Sequence, residues 1–152
     1  MQLRDRLVLF FSTGGYVGKM PLAPGTAGSL WGIPICYIIV KAGLAEAFFL
    51  TILFIAAAVW IAGKAEELFG RKDANPIVID EIAGYMVTLL GLPFNPTTVI
   101  AGFFLFRGLD ILKPFPIRWL ERRMPGGFGV VLDDVAAGIY GNLLLRIFFN
   151  AG

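Results

Sequence analysis

Two pairs of adjacent acids carry the first chemical signal in this chain, Asp80-Glu81 and Asp133-Asp134. Each pair lies at the head of an apolar stretch. A carboxylate there is costly unless it faces water, a cation or a partner, so it is a functional candidate. Four carboxylates brought together cannot all stay ionised without counter-charge. A hard divalent cation, Mg²⁺ before others, supplies that charge and takes oxygen ligands. The competing explanation is helix capping, because Asp and Glu favour helix N-termini in any protein. Capping would suffice for one pair. Two pairs, each followed by small residues at helical spacing, favour a metal. Gly84, Thr88 and Gly91 follow Asp80, and Gly138, Gly141 and Asn142 follow Asp134. Small residues at such spacing let two helices approach closely, which would join the two pairs into one site.

Arg107, Asp110 and Lys113 form a second group, three residues apart and therefore on one helical face. Arg107 can fork two phosphate oxygens and Lys113 can add a point charge. An internal ion pair that stabilises the helix end explains the spacing equally well, and the two roles are compatible, with Asp110 orienting the bases. A third stretch, Pro24-Gly25-Thr26-Ala27-Gly28-Ser29, could present backbone N–H groups to an anion. It is not a Walker loop, since no lysine follows the last glycine, and a loop-to-helix cap at Ser29 explains it more simply. The segment Gly126-Gly127-Phe128-Gly129 either lets backbone approach a ligand or only forms a turn. Arg118, Arg122 and Arg123, with Trp119 among them, fit an interfacial helix that meets anionic headgroups, or ordinary retention of basic residues on the inner face.

Composition narrows the class. Hydrophobic residues make up 57% of the 152-residue chain and charged residues 16%, with mean hydropathy +0.77. A soluble domain averages nearer a quarter charged, so the chain is expected to lie in a membrane. The length suits one domain spanning 1–152. A net charge of +2, with no basic run interleaved with aromatics, gives no footprint for nucleic acid. The chain has no histidine and one cysteine, Cys36. Histidine nucleophiles, bases and metal ligands are thereby excluded together. A cysteine phosphatase needs Cys-x₅-Arg, but Ala42 stands six residues after Cys36, and the Asp-x-Asp of haloacid-dehalogenase-type enzymes is absent.

These residues need helices to hold them. The pattern predicts an all-α integral membrane helical bundle of about five apolar helices, preceded by an interfacial N-terminal segment. The first helix should begin near Ser29 or Leu30 and run to Val40, with Pro34 kinking it or lying near its first turn. Residues 47–63 are uncharged and long enough, at about 25 Å, to reach across a hydrocarbon core. Asn75-Pro76 reads as an N-cap and first helical residue. Residues 82–106 are uncharged but broken by Gly91, Pro93, Asn95 and Pro96, which suggests two short helices joined by a turn, either crossing or re-entrant. A last helix is expected over about 134–149. Nine of the 24 charged residues fall within 107–134, a density that marks either a solvated loop or a site.

Lysines and arginines concentrate in alternate loops, which the positive-inside rule reads as an inner N-terminus. Five crossings would then put Asp80, Glu81, Asp110, Asp133 and Asp134 all on the cytoplasmic side.

Four stretches together resemble the phosphatidylglycerophosphatase A family: PGTAGSL at 24–30, DEIAG at 80–84, FRGLDILKPFPIRWLE at 106–121 and GGFGVVLDDVAAG at 126–138. The resemblance implies a Mg²⁺-dependent phosphatase of the bacterial inner membrane that converts phosphatidylglycerophosphate to phosphatidylglycerol in phospholipid synthesis. In that reading Asp80, Glu81, Asp133 and Asp134 hold the metal. Arg107 and Lys113, joined by Thr26 and Ser29, offset charge on the phosphoryl oxygens. Attack comes from an activated water or through an aspartyl phosphoenzyme, with Asp110 among the catalytic acids. The expected partners are the lipid substrate and the membrane, with a homo-oligomer left open. The alternative is a non-catalytic membrane protein that binds anionic lipid or a divalent ion.

Overall fold

In the computed structural model, which describes residues 2–150, every regular element among those residues is helical. The chain is organised around α4 (Ile79–Leu89), in which every residue except Glu81 is buried. Four helices surround it: α2 (Pro24–Val40), α3 (Leu44–Phe69), α5 (Pro96–Leu112) and α7 (Gly126–Asn150). Two shorter helices lie at the margins, α1 (Leu3–Ser12) against α3 and α6 (Ile117–Arg123) against α7.

Small residues determine how closely the helices pack. A Cβ on Gly84 of α4 would lie 2.6 Å from the carbonyl oxygen of Asp134, and one on Gly138 of α7 would collide with the carbonyl of Gly84. The two small-residue stripes therefore meet, and the α4–α7 contact is backbone on backbone. About three turns nearer the start of α7, a side chain on Gly127 would collide with the main chain of α3 at Val59. The α3 side of this packing is lined by buried Ala58, Ala62 and Ala65.

Three helix boundaries differ from expectation, each for a tertiary reason. Helix α2 begins at Pro24 rather than near Ser29, with proline in its first turn. Its glycines lie in helix despite their low propensity, because the backbone must come close to α4. A Cβ on Gly28 would press on Val78, and one on Gly32 would lie 2.9 Å from the Tyr85 ring. Helix α4 begins at Ile79 rather than after Asn75-Pro76, since the Val78 N–H donates to the Ser12 carbonyl (2.8 Å) and ties that segment to the end of α1. The Asn-Pro start signal operates instead at Asn95-Pro96, where Asn95 Oδ1 accepts from the Thr98 N–H (2.9 Å). Helix α7 begins at Gly126, so Gly126-Gly127-Phe128-Gly129 is its opening turn rather than a loop.

The expectation of about five apolar helices also needs correcting. Among the described residues, two helices are long and apolar enough to cross a bilayer, Leu44–Phe69 and Gly126–Phe149, with Pro24–Val40 a shorter apolar helix. Helix α4, with 11 residues, is about 16 Å long against a hydrocarbon core of about 30 Å. The outer faces of the long helices are greasy: Phe48, Phe49, Ile52 and Leu53 on α3 and Ile139, Leu143, Ile147 and Phe148 on α7 are all exposed. Because α4 stops short, its last carbonyls need partners. Asn142 of α7 provides them, its Nδ2 donating to the carbonyls of Val87 (3.2 Å), Thr88 (2.9 Å) and Leu90 (2.8 Å). Arg146 holds Asn142 through Nε to Oδ1 (2.8 Å) and also donates from Nη2 to Leu90 (3.1 Å).

The backbone contact predicts a contrast between two glycines. Gly138→Val should lower the thermal midpoint in detergent, at a cost of about 1–3 kcal/mol or more from overpacking. Gly108→Ala, in α5, meets nothing within 4 Å and should be neutral or stabilising by up to about 1 kcal/mol. Equal midpoints for Gly138→Val and the wild type would contradict the packing described.

Candidate active site

Helices α2 and α4 begin, and α5 ends, around a cleft of about 480 Å³. Asp73, Asp80, Glu81, Asp110, Asp133 and Asp134 line it, opposed by two basic side chains, Arg107 and Lys113. Asp80 and Glu81 lie in the first turn of α4, where the helix dipole favours negative charge. Asp133 and Asp134 lie about two turns inside α7, so capping accounts for the first pair and not for the second.

The acids divide into two groups. Asp80, Glu81 and Asp134 can each direct one oxygen into a shared space, with those oxygens within 4.8 Å of one another. Asp80 Oδ1, Glu81 Oε2 and Asp134 Oδ2 are buried and have no hydrogen-bond partner in the protein. Buried polar atoms are nearly always partnered, and three acids that each leave one buried oxygen unpartnered and can each offer an oxygen to one shared space form a ligand set suited to a hard divalent cation. Asp133 stands apart from this group. Its Oδ2 accepts from Lys113 Nζ (2.7 Å) and its Oδ1 accepts from the Asp134 N–H (3.0 Å). The four-carboxylate set expected from sequence is therefore a group of three, with Asp133 engaged by a lysine.

The cations are similarly engaged. Arg107 Nη1 is paired with Asp110 Oδ2 and lies 3.9 Å from Glu81 Oε1. Lys113 is paired with Asp133 and, at 3.0 Å, with Glu121 Oε1. Burial alone would pull the Lys113 ammonium down, but the hydrogen bond and charge of Asp133, then those of Glu121, hold it above its ordinary value. Both pairs leave the cleft acidic on balance, so a phosphate would meet net repulsion unless a cation were bound.

Burial, and next the neighbouring Asp134, push Glu81 up to about 8. Burial, followed by the charge of Glu81, holds Asp80 well above the ordinary carboxylate range. Burial and the neighbouring negative charge both oppose ionisation of these adjacent carboxyls.

Of the residues in the glycine-rich stretch, Thr26 lines the cleft. Ser29 does not: it is fully buried, and its Oγ donates to the Gly25 carbonyl (2.9 Å) one turn earlier. Its expected role toward phosphate is corrected accordingly. The stretch contributes instead through Gly25, where a side chain would collide with Glu81 Oε1 and lie 3.1 Å from Arg107 Nη2. Sequence reasoning also missed Asp73 and Asn75, which line the cleft from the loop before α4, and Glu121, the second partner of Lys113. Asp73 is fixed through its N–H, which donates to the buried Glu66 Oε1 (2.6 Å). In the sequence these residues read as an ordinary polar loop and a helix-surface acid.

Comparison with known proteins adds independent information. Residues 10–149 match the family described as Phosphatidylglycerophosphatase A. Phosphatidylglycerophosphatase A of Escherichia coli K12 is 39% identical over 123 residues, covering 80% of this chain and 72% of the relative. A Bacteroides thetaiotaomicron protein, provisionally named a phosphatidylinositol-3-phosphatase, is 38% identical over 149 residues, covering 93% and 92%. Phosphatidylglycerophosphatase A of Haemophilus influenzae is 37% identical over 125 residues, covering 81% and 77%. No solved structure matches significantly.

The raised Glu81 carboxyl predicts a pH response. Its ordinary value is 4.5 and its value in the fold about 8, so between these the metal-free folded protein holds a proton that the unfolded chain has released. Stability of EDTA-treated protein should then fall as pH rises through that window. A divalent cation displaces the proton, so its stabilising effect should be larger at pH 8 than at pH 6. Thermal midpoints at the two pH values, with and without cation, test this. Equal stabilisation at both would contradict it.

Proposed function

The chain belongs to the phosphatidylglycerophosphatase A family, and on that premise we propose that it is a Mg²⁺-dependent lipid phosphatase that hydrolyses phosphatidylglycerophosphate to phosphatidylglycerol and phosphate, as a step of phospholipid synthesis. The observation that carries this reading is the grouping of Asp80, Glu81 and Asp134 in the cleft, each able to offer an oxygen within 4.8 Å of the others and each with one buried oxygen unpartnered. In this reading those three residues hold the metal. A bound Mg²⁺ supplies charge neutralisation at the phosphoryl oxygens and makes a water easier to ionise.

The protein groups then have separable roles. Arg107, oriented by Asp110, donates to the phosphoryl oxygens as charge builds on them. Asp110 takes the proton from the attacking water. Asp133 and Glu121 hold Lys113 at the edge of the cleft, where its ammonium meets the incoming phosphate, and Thr26 closes the opposite side. A cleft so rich in acid discourages anions until a cation is bound, which makes substrate binding depend on metal.

The whole chain is read as one domain in the bacterial inner membrane. The two long helices anchor it, and α1 lies at the interface with Leu3, Leu7, Phe10 and Phe11 outward. The cleft faces the cytoplasm, where the basic segments concentrate. The diacylglycerol tails stay in the bilayer while the headgroup enters.

Asp80→Asn and Asp134→Asn should each reduce phosphate release to background while leaving helical content and solubility in detergent unchanged. EDTA should do the same to the wild type, reversibly on addition of Mg²⁺. Phosphate release from phosphatidylglycerophosphate and phosphatidic acid, measured side by side, provides the readout. Near-normal turnover by either variant would sink the metal assignment.

A further inference from the structure

Next to the acidic cleft lies a second concavity of about 640 Å³, and Lys113 lines both. Its character is opposite. Lys113, Phe115, Arg118, Trp119, Arg122 and Arg123 face it, with no acidic residue among its lining. Among the described residues, Arg118, Arg122 and Arg123 form no ion pair. Arg118 donates only to the Leu112 carbonyl (3.2 Å), and Arg123 lies over the Trp119 ring at 6.0 Å. All three arginines are exposed. The same surface carries exposed Leu112 and Phe115. A guanidinium cluster set in apolar side chains suits a group that is anionic at one end and greasy at the other.

The substrate proposed above has that form. Its terminal phosphomonoester is joined through glycerol to a phosphodiester, which leads to the diacylglycerol. With the monoester in the acidic cleft, the diester must leave past one wall. The wall at Lys113 opens onto three arginines. A neighbouring concavity of about 650 Å³ shares Arg122 and Arg123, but Glu66 and Glu67 line it too and Lys113 does not, so it is not continuous with the cleft through that residue. A third, of about 390 Å³, bounded by Phe10, Trp31, Ile35, Phe54 and Ile82, offers no cation. Its Trp31 N–H is already donated to the Gly14 carbonyl (2.6 Å).

We propose that the arginine groove beside Lys113 binds the internal phosphodiester of the lipid substrate, with Arg118 and Arg122 as its specificity-determining contacts and Phe115 and Leu112 under the first part of the acyl chains. This rests on the phosphatase reading above. The groove then selects lipids whose reactive phosphate is separated from diacylglycerol by a second phosphate. The pairing of cleft and groove divides recognition: the cleft takes the dianionic end only with a cation, while the groove draws the diester directly.

The test uses the full chain in non-ionic detergent and a short-chain, water-soluble phosphatidylglycerophosphate, so that attachment to an anionic surface contributes nothing. For Arg118→Gln/Arg122→Gln, KM should rise roughly tenfold or more, as loss of charge-assisted hydrogen bonds predicts. The value of kcat and the inhibition constant for inorganic phosphate, which reports on the cleft, should stay within about twofold. Arg118→Lys/Arg122→Lys keeps the charge and should recover part of the lost KM, which a merely unfolded variant would not show. An unchanged KM, or a rise matched by weaker inhibition by inorganic phosphate, would overturn the groove assignment and leave the phosphatase reading intact. Absence of phosphate release from the wild type would overturn the phosphatase reading, and this proposal with it.

Discussion

The backbones of α4 and α7 touch at Gly84, Asp134 and Gly138, and the site depends on that contact. Like-charged carboxylates repel, and each loses hydration when buried. Left to electrostatics, Asp80 and Glu81 on one helix would move away from Asp134 on the other. They stay together because glycine lets the two main chains approach until carbonyl oxygens occupy the space a side chain would need. Packing enforces a distance that charge opposes. The opposition is recorded in the chemistry of the acids, since Glu81 and Asp80 hold protons far above the usual range. A proton relieves that repulsion, and a bound cation would do the same.

Much of the site was legible in the sequence because its signals are local. Two acidic pairs, each followed by small residues at helical spacing, specified both which helices meet and through which faces. Arg107 and Asp110 share a face of α5 because their spacing requires it, and Lys113, one residue past the helix, lines the same cleft. What could not be read depends on contacts between distant segments. The start of α4 is set by a hydrogen bond from Val78 to Ser12, and nothing near Asn75-Pro76 records it. Residues 24–29 look like a loop by propensity and become helix because α4 demands a thin neighbour. Asp133 and Asp134 are adjacent and look equivalent, yet successive helical positions point about 100° apart, and only one of them reaches the group of three. Fewer helices are long and apolar enough to cross than the five expected, because an apolar run does not distinguish lipid from protein as its surroundings: α4 is apolar because it is the core.

Charge is distributed so that neither concavity is complete alone. The acidic cleft has cations, but each is matched to a carboxylate: Arg107 to Asp110, and Lys113 to Asp133 and Glu121. They are therefore held in place rather than free to move onto a ligand, which suits groups that must be preorganised before charge develops. The unmatched positive charge lies outside, on α6. Lys113 stands between the two regions at the C-terminal end of α5, in a left-handed conformation (φ 46°) that turns the chain toward α6. One residue thus ends a helix, braces Asp133 and forms the wall between the two concavities.

The short length of α4 has a consequence for biogenesis. Its final carbonyls are satisfied by Asn142 and Arg146, which lie on the last helix of the described chain. Synthesis runs from the N-terminus, so α4 emerges before the side chains that cap it. Until α7 arrives, α4 has unmet carbonyls at one end and two acids at the other, and it is a poor candidate to enter lipid alone. Those carbonyls gain their side-chain partners only when α7 packs against α4. The carboxylates from the two helices are therefore assembled in the same event that completes the bundle, and until α7 packs against α4 the group lacks Asp134.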